Sequence, residues 1–209
     1  MYPGKDQILP PYQMTLMEYL GVANLITEQK EATVAGYFAG PIKKLLSRNV
    51  NKHANSAGLP GHPGIEFSID GHHYAGLRET GGDRLIGGYI YILPYLDPEY
   101  RGRGLMSALH KEADLVGQRF TTENYTMDGL QARARTHALH IEDALTEGSH
   151  VPDEVMEDYT IVAGRALPVK ELSRERFWVE RIRHHSELDG RLIARAERIR
   201  EPSPEPEPR

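Results

Sequence analysis

The sequence predicts an α+β fold, a mixed and mainly antiparallel sheet flanked by helices, and three observations carry that prediction. Apolar residues alternate with polar ones over 65–70 at the head of a three-strand meander that ends in an apolar strand near 93, they recur at helical spacing over 105–120 and 128–146, and a glycine-rich turn at 101–104 separates the two regimes. The chain has 209 residues and no cysteine, so its core must hold it without disulfides or thiolate metal sites. Hydrophobic residues make up 39% and charged residues 26%, the balance of a globular protein with an apolar interior. A net charge of −5 argues against a whole-surface attraction to nucleic acid. No apolar run approaches the roughly 20 residues that cross a bilayer. The opening MYPGKDQILPPYQM lacks a basic stretch followed by an apolar one, so no signal peptide is expected. The expectation is a cytoplasmic protein without a membrane partner.

Residues 1–13, with three prolines and a glycine, read as irregular. Thr15 and Glu18 have the spacing of a capping box, and Leu16, Leu20, Ala23 and Thr27 continue at helical period, with Tyr19 and Ile26 on the adjoining stripe. A second helical stretch spans 32–48, with Pro41 suited to open a new first turn. Residues 49–64 are rich in Gly, Pro and Asn and read as a long loop. Ile65, Phe67 and Ile69 then alternate with Glu66, Ser68 and Asp70, the pattern of a half-buried strand. Asp70-Gly71 marks a tight turn, Tyr74–Glu79 the returning strand, Thr80–Asp83 a second turn and Arg84–Leu93 a third strand. The result is an antiparallel meander.

Beyond the turn, Leu105, Ala108, Leu109, Ala113, Val116 and Phe120 form the inner stripe of one helix, and Leu130, Ala134, Ala138, Ile141 and Leu145 that of another. Another turn is expected near Val151-Pro152-Asp153 and an extended segment over 160–169. Residues 1–170 are expected to form one body, 171–200 a charged helical arm and 201–209 a disordered Pro/Glu tail. The arm carries nine basic and six acidic residues from Lys170 onward, too small an excess for nucleic acid. Its stripe of Phe177 or Trp178, Ile182, Leu188, Leu192 and Ile199 suits packing on its own domain or a homodimer contact.

The chemistry-bearing segment is the turn. A helix N-terminus presents unpaired N–H groups and the positive end of the helix dipole, and glycine lets the backbone approach a phosphate closely. Arg101-Gly102-Arg103-Gly104, between a strand and a helix, supplies those features with two guanidinium groups beside them. The Rossmann pattern G-x-G-x-x-G is absent, and no Gly-Lys-Ser/Thr follows as in a P-loop.

The segment YRGRGLMSAL, preceded by a strand and Asp97-Pro98-Glu99, resembles motif A (R/Q-x-x-G-x-G/A) of the GNAT acetyltransferase superfamily. Arg101 matches the first position and Gly104 the glycine, while Met106 stands where Gly or Ala is usual. The resemblance covers residues 65–120 and implies a GNAT-like sheet and acyl-CoA binding, with acetyl-CoA the leading co-substrate. Arg101, Gly102, Arg103, Gly104, Leu105 and Met106 would hold the pyrophosphate. Leu93, Tyr95 and Leu96, at the end of the third strand, would flank the pantetheine arm. The implied reaction is direct acyl transfer to a primary amine of a small molecule or protein, through a tetrahedral intermediate stabilised by a backbone donor.

That family continues with a strand and a helix bearing a tyrosine general acid, whereas residues 128–146 contain no tyrosine. Tyr91, Tyr125 and Tyr159 are therefore the candidates for acceptor contact or proton transfer. Tyr89 and Tyr91 suit sheet packing as well as an acceptor pocket. His72 and His73 read as turn residues and His110 as a helix-flank residue. His137, His140 and Glu142 could share a helix face, but a hydrogen-bonded or solvent-facing histidine is the commoner outcome, and no metal is expected. Met106 and the missing tyrosine also motivate a second reading, a GNAT-like acyl-CoA-binding or regulatory module without transfer chemistry.

Overall fold

Residues 65–96 supply four strands of a five-stranded antiparallel sheet whose fifth strand comes from residues 57–58. The computed structural model describes residues 9–20, 24–25, 42–44, 46–47, 56–70, 74–90, 93–117 and 124–168. In chain order the elements are α1 (Leu16–Leu20), β1 (Asn24–Leu25), β2 (Ala57–Gly58), β3 (Ile65–Asp70), β4 (Tyr74–Glu79), β5 (Leu85–Ile90) and β6 (Leu93–Leu96). They continue with α2 (Leu105–Leu115), β7 (Asn124–Tyr125), α3 (Met127–Thr146), α4 (Asp153–Met156), β8 (Tyr159–Val162) and β9 (Arg165–Pro168). Residues 42–44 and 46–47 are also helical. The chain divides into two compact units, Ala23–His140 in one and Met1–Val22 with Ile141–Arg209 in the other.

In the first unit the sheet order is β2-β3-β4-β5-β6, with every neighbouring pair antiparallel. Side chains of alternate residues leave opposite faces of a strand. Ala75, Leu77, Ile86 and Tyr89, with Ile65, Phe67 and Ile69 partly buried, therefore line one face, beneath Leu105, Ala108, Leu109 and Ala113 of α2. On the other face Leu85 and Ile90 pack with the helical Ile42 and Leu46, with Tyr74 and Tyr95 partly buried against them. The predicted core stripe of α2 is buried as far as Ala113, after which the helix ends at Leu115 and Val116 is 60% exposed. Phe120 and the charged arm and tail (171–209) lie outside the described residues.

The third strand departs from its expected span. It ends at Ile90, and Leu93–Leu96 return antiparallel to it as β6, with Ile90 opposite Leu93. Proline withholds a ladder donor and is tolerated at a sheet edge, which is where exposed Pro94 sits. Two further expectations change: the helix after Thr15 stops at Leu20 and Asn24–Leu25 is a strand, parallel to β7, while Ala57–Gly58 of the predicted loop pair with β3.

A bulge near Leu77/Arg78 shifts the β4–β5 register, pairing Leu77 with Gly87 but Arg78 with Leu85 and leaving Ile86 as the extra residue. Two glycines make this possible. A Cβ on Gly87 would meet Leu96 Cδ1 at 2.5 Å, and one on Gly88, at φ +139°, would meet the Ala75 carbonyl oxygen at 2.1 Å. The second contact is with backbone, which cannot rotate aside.

Between α2 and α3 the packing is polar. Asp114 (0% exposed side chain) lies 3.5 Å from Arg133 (2%) and 3.1 Å from Nε2 of His140 (6%). Ser107 donates to the Ala132 carbonyl at 3.0 Å and Thr136 to the Ser107 carbonyl at 3.2 Å. His110, expected on a flank, is instead buried, its ring 5.9 Å from that of Tyr89. Burial pushes its pKa down to about 3, with Arg133 adding to the effect and Asp114 opposing it.

In the second unit the capping box forms as predicted: the Thr15 amide donates to Glu18 Oε2 at 2.7 Å and the Glu18 amide to Thr15 Oγ1 at 3.3 Å. The Leu16 amide donates to Asp158 at 2.9 Å. The C-terminus of α3 closes with left-handed Gly148 and a Ser149 amide bond to the Ala144 carbonyl. Its last predicted core residue, Leu145, is 38% exposed. The extended segment expected over 160–169 is a hairpin, β8–β9, turning at Ala163 (φ +49°) and Gly164 (φ +77°), the positive pair of a type I′ turn.

Gly88→Ala should lower unfolding free energy by roughly 2–5 kcal/mol in urea denaturation, from strain and overpacking together; a loss below about 1 kcal/mol would contradict the tight approach to Ala75. His110 predicts a pH slope. The unfolded chain protonates this ring near pH 6.5 and the folded chain only near pH 3, so stability is fully present above pH 6.5 and falls as pH drops toward 3. Within that window His110 accounts for about a tenfold loss in folding constant per pH unit. His110→Gln should remove one proton from the slope measured at pH 6, 5 and 4, whatever its effect at pH 7.

Candidate functional site

The site is built where the sheet hands over to α2. The Asp97 amide donates to the Ile86 carbonyl at 2.8 Å, carrying the β5–β6 pairing one residue further. Pro98–Tyr100 then form a single 3₁₀ turn, closed by bonds from the Tyr100 amide to Asp97 and from the Arg101 amide to Pro98. Gly102 and Gly104 both take left-handed conformations, at φ +73° and +78°, and a Cβ at Gly102 would meet nothing within 4 Å. Backbone curvature, not crowding, requires glycine there.

Gly104 is the N-cap of α2, its carbonyl accepting from the Ala108 amide at 3.0 Å. The amides of residues 102–107 donate to no group among the described residues. Such a run at a helix start is what an anion can satisfy.

The arginines are held by one donor each. Arg101 Nε donates to the Leu96 carbonyl at 3.3 Å and Arg103 Nη2 to the Glu99 carbonyl at 2.8 Å. Arg103 also lies over the Tyr100 ring, 5.0 Å from its centroid. Buried Tyr100 is itself fixed by donating its hydroxyl to Glu79 at 2.6 Å, and this bond raises its pKa. Both arginines are exposed and keep most of their donors for a ligand.

Beneath the turn lies Asp97. Its side chain is 5% exposed and accepts from Lys43 Nζ at 2.7 and 3.0 Å, from Arg84 Nη2 at 2.8 Å and from the Tyr95 hydroxyl. Arg84 also reaches Glu99 at 2.9 Å, and Lys43 lies 5.4 Å from the Tyr95 ring centroid. Burial alone would raise the Asp97 pKa, but the hydrogen bonds from Lys43, Tyr95 and Arg84 outweigh it and hold the carboxyl below its ordinary value. The same Asp97 bond raises the Lys43 pKa, with burial opposing. Burial first, and then Asp97, raise that of Tyr95.

The loop 59–65 closes one side through Leu59–Ile65, His62–Leu59 and Ile65–His62 backbone bonds, with Leu59 in the core. It brings the His62 ring to 3.8 Å from where a Gly104 Cβ would stand, and partial burial lowers the His62 pKa.

Tyr95, Leu96 and Arg101 to Met106, all predicted from sequence, are thus brought together, with Leu93 opening the same strand, β6. Tyr95 faces Asp97, and Leu96 packs on the core. The Met106 side chain also packs against that core rather than occupying the turn. Tyr125 lies in β7, Tyr159 is 4% exposed in β8 of the other unit, and Tyr91 lies outside the described residues, as do His72 and His73.

His137 and His140 are buried, Glu142 accepts from the Ala166 amide, and among the described residues no group of three or more His, Asp or Glu is placed to hold a metal ion. Lys43, His62 and Arg84 escaped the sequence reading. The signal that could have found the anchor is an Asp-Pro step at a strand end, where the acid meets a new turn instead of water. No family model, no curated protein and no solved structure matches the chain.

Because Met106 packs on the core, Met106→Ala should destabilise the protein by about 1–3 kcal/mol in urea denaturation. No stability change would mean that this side chain faces the turn instead.

Proposed function

We propose that the chain binds an acyl-CoA, acetyl-CoA first among them, by its pyrophosphate at residues 101–106, and transfers the acyl group to a primary amine. The observation that carries this reading is the run of amides from Gly102 into α2 that donate to nothing among the described residues, flanked by Arg101 and Arg103. A diphosphate offers several acceptor oxygens and two negative charges close together, and this turn offers both amide and guanidinium donors.

The order of elements supports the same reading: an antiparallel meander, a glycine turn into a helix, a short strand, and a second helix follow one another as the GNAT resemblance implies. The core-facing Met106 side chain leaves its backbone amide available, which removes one ground for a binding module without chemistry.

In the transfer step the amine nitrogen attacks the thioester carbonyl, forming a C–N bond and a tetrahedral oxyanion. Collapse breaks the C–S bond, CoA leaves as the thiolate, and the proton lost from the attacking nitrogen leaves the product a neutral amide. Tyr91, Tyr125 and Tyr159 remain the candidates for moving that proton.

Isothermal titration with acetyl-CoA and with free CoA tests the binding claim. Micromolar affinity for both is expected, weakened about tenfold by Arg103→Ala, the range for a lost charged hydrogen bond. Absence of binding at millimolar CoA would refute the reading. Thiol release on mixing acetyl-CoA with a panel of amines then separates a transferase from a CoA-binding protein.

A further inference from the structure

We propose that Asp97 is the positioning residue of this cradle, setting the place of Arg103 through Arg84 and Glu99. The inference rests on the acyl-CoA reading of the turn. Its ground is an unbroken chain of contacts. Arg84 Nη2 donates to Asp97 at 2.8 Å and to Glu99 Oε1 at 2.9 Å, and the Glu99 carbonyl accepts from Arg103 Nη2 at 2.8 Å.

Tyr95 donates to the other oxygen of the same carboxylate and Lys43 to both, so its donors come from a helical segment, the approach to β5, and β6. Each of these elements is already fixed by apolar packing that leaves Asp97 out. A carboxylate taken out of water and surrounded by cations adds little net stability compared with an apolar side chain. What it supplies is direction: it ties the first residue of the turn to three fixed points, and the turn carries its arginine to the ligand.

The backbone bonds of Tyr100 to Asp97 and of Arg101 to Pro98 close the 3₁₀ turn, and the Arg101–Leu96 bond follows it, but past Arg101 the chain has few restraints among the described residues. Gly102 has open space where a side chain would be, and residues 101–104 are exposed. Among the described residues, apart from the Tyr100–Glu79 bond and the stacking of Arg103 on Tyr100, the contacts through Glu99 are what fix that guanidinium.

The test is a double-mutant cycle on CoA affinity in the full chain, with Asp97→Asn, Arg103→Ala and the double variant. Asp97→Asn should weaken CoA binding about tenfold. The double variant should be no weaker than Arg103→Ala by more than about twofold, because Asp97 acts through Arg103. Independent, multiplying losses would overturn the proposal, and so would an unchanged affinity in Asp97→Asn.

A merely structural role would lower the melting temperature without that coupling. Should Asp97→Asn fail to fold, Arg84→Met, at a side chain 61% exposed, breaks the same path and should show the same non-additivity with Arg103→Ala. Amide spectra of the ligand-free protein separate this claim from the acyl-CoA reading. If wild type binds no CoA, the reading fails, whereas glycine resonances of residues 102 and 104 left unmoved by Asp97→Asn overturn the positioning role itself.

Discussion

A carboxylate that has lost its water must be surrounded by donors or give up its charge, and the arrangement around Asp97 follows from that constraint. Two cations and a phenol converge on it, and its main chain continues the ladder to Ile86 before closing the 3₁₀ turn. The end of the sheet, the start of the turn and the helical Lys43 are therefore referred to one point. From there the chain needs only two left-handed glycines to enter α2 at Gly104, and the entry sets which side of α2 meets the sheet. Leu105, Ala108, Leu109 and Ala113 then fall onto Leu77, Ile86 and Tyr89.

The two sides of α2 are held by different physics. Toward the sheet the contact is apolar and tolerant of small slides, while within the sheet the bulge at Ile86 and the bare backbone of Gly88 set β5 closely against β4. Toward α3 the contact is polar and specific in register. Asp114 must meet Arg133 and His140, Ser107 must meet Ala132, and a slide of one turn would strand a buried charge. An ordered helix N-terminus requires both, since a helix free to rotate would not present the same amides to a ligand.

Much of this was legible in the sequence because it is local. The alternation from Ile65 to Glu79, the capping box at Thr15 and Glu18, the stripe from Leu105 to Ala113 and the glycine turn each depend on neighbours a few residues apart. Leu130, Ala134, Ala138 and Ile141 were likewise readable by period and are buried.

What escaped depends on distant partners. The continuous apolar run 85–93 hides a bulge and a reversal, because hydrophobicity alone does not mark where a strand turns back. His110 reads as a helix flank until α3 and Tyr89 enclose it. Asp97 owes its role to Lys43, 54 residues earlier, and His62 owes its place to a loop that folds back on Leu59. The site's backbone was legible, and its electrostatic support was not.

The central claim is that the turn at 101–106 receives a diphosphate. Amide chemical-shift mapping with CoA and with pantetheine, which lacks the diphosphate, tests it most directly. The account predicts that CoA moves the amide resonances of Gly102, Gly104 and Leu105 while pantetheine at the same concentration leaves them in place. CoA-induced shifts that avoid these three residues would contradict it.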